Sequence, residues 1–221
     1  EKYYLDAQKQ LQNSKGKTQY EILLYNGLGL VYQNLDKYEE AIQAFKKSLD
    51  LSIKIYGNGK IEVATIYHNI GNLLEKHGKH QEALDHYTKS LGMKLYIFGQ
   101  QHQSVAESYN SIATVYDHQG RYAEALEYYQ RSLSILLNAH GSTHPSVATS
   151  YNNIGTAYAN QGKLHDALDC YKKSLDIRLM IYGSDHPDVG VCYLNMGNTY
   201  FSLGKYNEAL EYFEKSLEIT T

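Results

Sequence analysis

Ten histidines and two cysteines are the residues of this 221-residue chain that would first suggest catalysis or metal binding. His68, His77, His80 and His86 lie close together, but no His-Glu-x-x-His or paired-cysteine motif accompanies them. Helical spacing puts them on two segments that face different ways, so zinc is not expected. His165 and Cys170 are separated by about 140° around a helix, too far to act as base and nucleophile. Gly27-x-Gly29 lacks a third glycine and a preceding strand, so it is no dinucleotide loop. No catalytic residue, metal ligand or cofactor is expected, and the chain reads as non-enzymatic. His102, His144 and His186 recur just before helix starts, where a structural turn role is expected.

The side chains that do suggest binding are asparagines. In the stretch YNNIGTAYANQGK, Asn152 and Asn153 sit side by side in a segment whose other residues read as helix. Each interior asparagine costs a helix about 0.5 kcal/mol relative to alanine, so two in succession ask for a reason. That reason depends on the elements that carry them.

A hydrophobic content of 43% is ample for a core. A net charge of −3, with acids and bases mixed along the chain, gives no basic field for nucleic acid and no polybasic membrane patch. Neither is expected as a partner. No apolar run approaches the roughly 18 residues of a membrane span. Cys170 and Cys192 fit a reducing compartment, so a cytoplasmic protein is expected. The chain opens on Glu1 rather than Met, so its N-terminus is expected to lie upstream.

The chain repeats itself with a period of 42 residues: Tyr25, Tyr67, Tyr109, Tyr151 and Tyr193 each open the same unit. With that tyrosine as position one, position four is Leu28, Ile70, Ile112, Ile154 or Met196. Position five is Gly29, Gly71, Ala113, Gly155 or Gly197. Further along recur Ala41 to Ala209, then Phe45, Tyr87, Tyr129, Tyr171 and Phe213, then a Ser-Leu pair from Ser48-Leu49 to Ser216-Leu217. The apolar spacing is helical on both halves of each unit, which predicts a hairpin of two helices. Gly78, Gly120, Gly162 and Gly204, with Asp36 in the first unit, stand where a left-handed residue ends the first helix. Gly57, Gly99, Gly141 and Gly183 end the second, and Pro145 and Pro187 open the next. Small residues at position five let the paired helices approach closely, with tyrosines and leucines filling around them. One hairpin cannot bury its own apolar stripe, so the expected fold is all-α, an α-solenoid of stacked antiparallel helix hairpins.

This order of residues resembles the tetratricopeptide repeat (TPR), and the 42-residue unit with Gly141-x-x-His144-Pro145-x-Val147-Ala148 resembles the subtype found in kinesin light chains. The resemblance implies a TPR superhelix. Five repeats are expected at 25–66, 67–108, 109–150, 151–192 and 193–221. Residues 1–24 are read as a partial preceding repeat, a second helix, with the linker and start of the next first helix. A longer array is expected, and no polar capping helix follows Leu217.

In this family successive first helices line a concave groove that receives peptides. On a helical wheel, Asn26, Asn69, Asn72, Asn110, Asn152, Asn153, Asn195 and Asn198 lie away from the packed stripe and are the expected peptide-binding residues. An amide offers both donor and acceptor to a peptide backbone. The same amides would alternatively bond between neighbouring helices. First helices taken as 18–34, 61–76, 103–118, 145–160 and 187–202 carry Glu21, Glu62, Glu75, Glu107, Asp117 and Asp188 against Lys76. A neutral to basic extended protein or peptide segment is therefore the expected partner. The functional expectation is a scaffold or adaptor. The alternatives are a structural spacer of a larger assembly, cytoskeletal in location, and the sensor region of a larger signalling protein.

Overall fold

The computed structural model describes residues 17–220. The expected second-helix tail in residues 1–14 lies outside them. The fold is an all-α solenoid of stacked antiparallel hairpins. Its helices are α1 (Lys17–Asn34), α2 (Tyr38–Tyr56), α3 (Ile61–Lys76), α4 (His80–Phe98), α5 (Gln103–His118), α6 (Tyr122–His140), α7 (Pro145–Asn160), α8 (Leu164–Tyr182), α9 (Pro187–Ser202) and α10 (Tyr206–Thr220). A short 3-10 turn, Gly57–Gly59, follows α2. Backbone contacts divide the chain into two compact units, the first ending at Gln100 and the second beginning at Gln101. In the first, α1 pairs with α2 and α3 with α4, and α2 packs on α3. In the second, the pairs are α5–α6, α7–α8 and α9–α10, joined by α6 on α7 and α8 on α9. Among the described residues no helix is long and apolar enough to cross a membrane.

Each hairpin is held at one close contact. An aromatic ring of the second helix lies directly over position five of the first, so that a Cβ on Gly29 would sit 2.5 Å from Phe45 and one on Gly71 2.6 Å from Tyr87. Gly197 stands in the same relation to Phe213. At Ala113 a methyl is present and buried beneath Tyr129, so the contact absorbs one carbon by a small shift. Next to this contact the recurring serine closes the pair. Ser48 Oγ donates to the Ile22 carbonyl (2.8 Å), Ser90 to Ala64 (2.7 Å), Ser132 to Ala106 (2.8 Å) and Ser216 to Gly190 (2.9 Å). A buried hydroxyl needs such a partner, and these bonds tie the second helix to the first. Ser174 departs from the pattern and lies 3.5 Å from Cys192 Sγ on α9.

The helix ends follow the residues that terminate them. After α3, Gly78 is left-handed (φ 70°), its N–H donates to the Glu75 carbonyl and the Lys79 N–H to the Leu74 carbonyl. This double bond satisfies the last carbonyls of the helix. Asp36 takes the same conformation after α1 (φ 59°), which a short polar side chain tolerates. His102, His144 and His186 cap α5, α7 and α9, their Nδ1 atoms accepting from the backbone N–H of Ser104, Ser146 and Asp188. That geometry requires the proton on Nε2, so the turn role of these histidines is an N-cap made by an imidazole. His144 also stacks on His140 at 4.1 Å, and His186 on Tyr182 at 4.1 Å.

Two substitutions separate the close contact from ordinary helix propensity. Gly92, inside α4, has open space where a Cβ would go, so Gly92→Ala should stabilise the chain by about 1 kcal/mol. Gly71→Val, pushing a branched side chain into the Tyr87 ring, should destabilise it by about 1–3 kcal/mol. Urea unfolding followed by circular dichroism reads both.

Candidate functional site

The expected asparagines come together in a defined order within each unit. In the first unit Asn69 Nδ2 on α3 donates to Asn26 Oδ1 on α1 at 3.0 Å. In the second, Asn153 on α7 donates to Asn110 on α5 at 3.1 Å, and Asn195 on α9 donates to Asn152 on α7 at 2.9 Å. The adjacent pair Asn152–Asn153 thus serves two neighbours, one amide reaching back and the other forward. All six side chains are half-buried.

These pairs alter the energetic argument about asparagine. A net hydrogen bond is worth about 1 kcal/mol, and the two asparagines that make it cost their helices about 1 kcal/mol together. Each rung therefore roughly offsets its own helix cost, and no ligand is needed to balance it. Each rung also uses only one N–H and one lone pair of amides that have two of each. The remaining capacity lies along the first helices of each unit.

Asn72 and Asn198 sit elsewhere. Tyr87 OH passes under Gly71 and donates to Asn72 Oδ1 at 2.6 Å. The same link recurs as Tyr171 OH donating to Thr156 Oγ1 at 3.1 Å, and the Tyr129 and Thr114 hydroxyls lie 3.1 Å apart. Asn198 is exposed and stands opposite Phe213, which has no hydroxyl.

Four of the eight asparagines line clefts. In the second unit, one of about 340 Å³ is bordered by Gln103, Glu107, Asn110, Ser111, Leu136 and Thr149. Another of about 280 Å³ is bordered by Thr156, Asn160, Tyr171, Asn195, Asn198 and Ser202. In the first unit a cleft of about 130 Å³ includes Asn26. Bases are sorted between the two kinds of helix. Lys76, the base expected among the groove helices, is drawn to the tight turn, where it bonds Asp36 at 2.7 Å and holds that carboxyl below its usual range. On the second helices, Lys47 lies over the Tyr25 ring, Lys89 over Tyr67, Arg131 over Tyr109 and Lys173 over Tyr151.

Three of the histidines and both cysteines that first suggested chemistry have packing surroundings. His68 lies against the Tyr87 ring, His86 against Tyr67 and His77 against Tyr38. Cys170 packs beside Tyr129 and Ala157, and Cys192 is fully buried; burial pushes both thiols up. What the sequence did not indicate is Arg178, buried between α8 and α9 with Nη1 donating to the Asp188 carbonyl at 2.7 Å. Its repeat equivalents, Ser52, Lys94 and Leu136, share no residue type, so no periodic signal marks the position.

Burial, and then the charge of Lys94, lower His68 to about 4. An unfolded histidine titrates near 6.5, so below that pH the unfolded chain binds a proton that the folded one refuses. The stabilisation is complete above about pH 6.5 and lost as pH falls towards 4, by on the order of 2–3 kcal/mol. His68→Gln should remove that part of the acid slope in urea unfolding measured at stepped pH, leaving the rest.

The tetratricopeptide repeat family model matches residues 20–95, 104–180 and 147–221, and a second tetratricopeptide repeat model matches 68–136. No curated protein matches the chain at a significant level. Among solved structures, BtubC (BKLC) from P. vanneervenii superposes with a TM-score of 0.83 at 18% identity, over 98% of this chain and 86% of that one. The kinesin light chain-type, nearly identical TPR-like repeats of Podosopora anserina give 0.80 at 20%, over 94% and 97%. Aspartyl phosphate phosphatase F from Bacillus subtilis gives 0.80 at 18%, over 92% of this chain and 51% of that one. At these identities the likeness concerns the fold.

Proposed function

The chain belongs to the tetratricopeptide repeat family, and on that premise we propose that it is a non-catalytic interaction scaffold whose first-helix faces bind an extended, neutral to basic peptide segment. The asparagines carry the backbone contacts: Asn26, Asn69 and Asn72 in the first unit, and Asn110, Asn152, Asn153, Asn195 and Asn198 in the second. The observation that supports this most is the amide rungs. They fix half-buried side chains in register across successive first helices, pre-organised and with hydrogen-bonding capacity to spare. An extended chain rises about 3.3 Å per residue and packed helices stand about 10 Å apart, so one amide would meet roughly every third residue. The same rungs favour a second reading, in which the asparagines serve only to join hairpins of a structural spacer.

Asn198 distinguishes the two, since it lines a cleft and is absent from the rungs. Asn198→Ala should reduce retention of a random extended-peptide library on the immobilised chain several-fold while leaving the urea midpoint unchanged. The Asn152→Ala, Asn195→Ala pair should lower retention while leaving stability nearly unchanged, because the hydrogen bond lost and the helix propensity regained are each worth about 1 kcal/mol. Retention intact in both variants would favour the spacer.

A further inference from the structure

One place in the hairpin stack is filled differently from repeat to repeat. Its second-helix residue is Ser52, Lys94, Leu136 or Arg178 in turn. The long Arg178 side chain fills the space between α8 and α9. Leu136 is shorter, and beside it opens the cleft of about 340 Å³ between α5 and α7. In the first unit the residue is Ser52, and the cleft of about 130 Å³ between α1 and α3 is the equivalent opening. Its Leu23, Asn26 and Glu62 occupy the repeat positions of Glu107, Asn110 and Ser146, which line the larger cleft.

Each opening contains one carboxylate, supplied from opposite walls. In the first unit it is Glu62 on α3, whose Oε2 is sealed from solvent and has no hydrogen-bond partner among the described residues. The walls around it are Ile22, Leu23, Ile61 and Ile66. In the second unit it is Glu107 on α5, an exposed side chain at the rim whose Oε1 accepts from the neutral amide of Gln103 at 3.2 Å. An unpartnered carboxylate oxygen inside an apolar recess is costly until a charged donor reaches it. A side chain with an apolar stem and a cationic tip satisfies both the walls and the oxygen.

We infer that these two openings are sockets for basic side chains, lysine or arginine, of the segment held on the first-helix faces. In the first unit the methylenes lie on Leu23 and Ile61 and the cation bonds Glu62. In the second the cation bonds Glu107 beside Asn110 and Thr149. The inference rests on the peptide-scaffold reading above and adds to it which chemistry is selected, and by which residues. Where Arg178 fills the position, a basic group of the protein itself already occupies the equivalent space.

The test uses the full chain, immobilised, and short oriented peptide libraries with one fixed central residue: arginine, lysine, citrulline, norleucine or glutamate. Citrulline keeps the shape of arginine without its charge, and norleucine keeps the stem of lysine. Arginine and lysine libraries should be retained about tenfold better than their neutral counterparts, and glutamate least. In the E62Q, E107Q double variant that preference should fall to near unity while the neutral libraries are retained as before. Equal retention of arginine and citrulline by the unmodified chain, or an undiminished preference in the double variant, would overturn the sockets and leave the scaffold reading standing. Retention of no library by a chain whose circular dichroism is fully helical would overturn the scaffold reading itself.

Discussion

The closest constraint in this protein is the contact between position five of each first helix and the aromatic ring of its partner. A ring seated on a glycine brings two helix backbones nearer than any larger residue would allow, and that nearness has consequences on both sides of the pair. On the inner side it lets the recurring serine reach a carbonyl of the facing helix, as Ser132 reaches Ala106. On the outer side it lets a tyrosine hydroxyl cross beneath the first helix and hold a polar side chain on its far face, as Tyr87 holds Asn72. Phe45 and Phe213 have no hydroxyl and stand with Leu30 and Asn198, so the hydroxyl links belong to the three middle repeats.

From that contact the organisation of the first-helix face follows. Hairpins of identical length repeat their register, so position two of one first helix meets position three of the next, 43 residues on. Asparagines that would weaken an isolated helix instead meet as pairs, and the pairing returns roughly the stability that their helix propensity removes. Bases collect on the second helices, where several lie over tyrosine faces, while carboxylates occur on both kinds of helix and on the first have few bases beside them. The electrostatic character of the face is thus a product of which helix carries which charge, since the net charge of the whole chain is small.

Much of this was legible in the residue order because the fold depends on periodic features. Gly120 and Gly162 announce left-handed ends, His144-Pro145 announces a helix start, and the Gly–Tyr spacing announces a close approach; each appears where its geometry requires. The asparagines were legible as a row, and their bonding between helices only as an alternative to ligand contact. Whether two amides on successive first helices touch depends on a stagger of the stack that propensity and wheel positions do not contain. The histidine caps were legible by place and not by chemistry, because an imidazole is an uncommon acceptor for a helix N-terminus. The clefts were not legible at all. The cleft beside Leu136 opens at the position that Arg178 fills in the next repeat, a difference in side-chain length at a position without a consensus.

The central claim is that the amides of successive first helices meet an extended chain directly. Side-chain amide resonances of the asparagines, followed by nitrogen-edited NMR during titration with an arginine-bearing peptide, test it most directly. The account predicts that the Asn110, Asn152, Asn195 and Asn198 NH2 signals shift together and saturate at one peptide concentration. Signals that stay fixed while backbone amides of α6, α8 and α10 move would contradict it, placing the partner on the second helices instead.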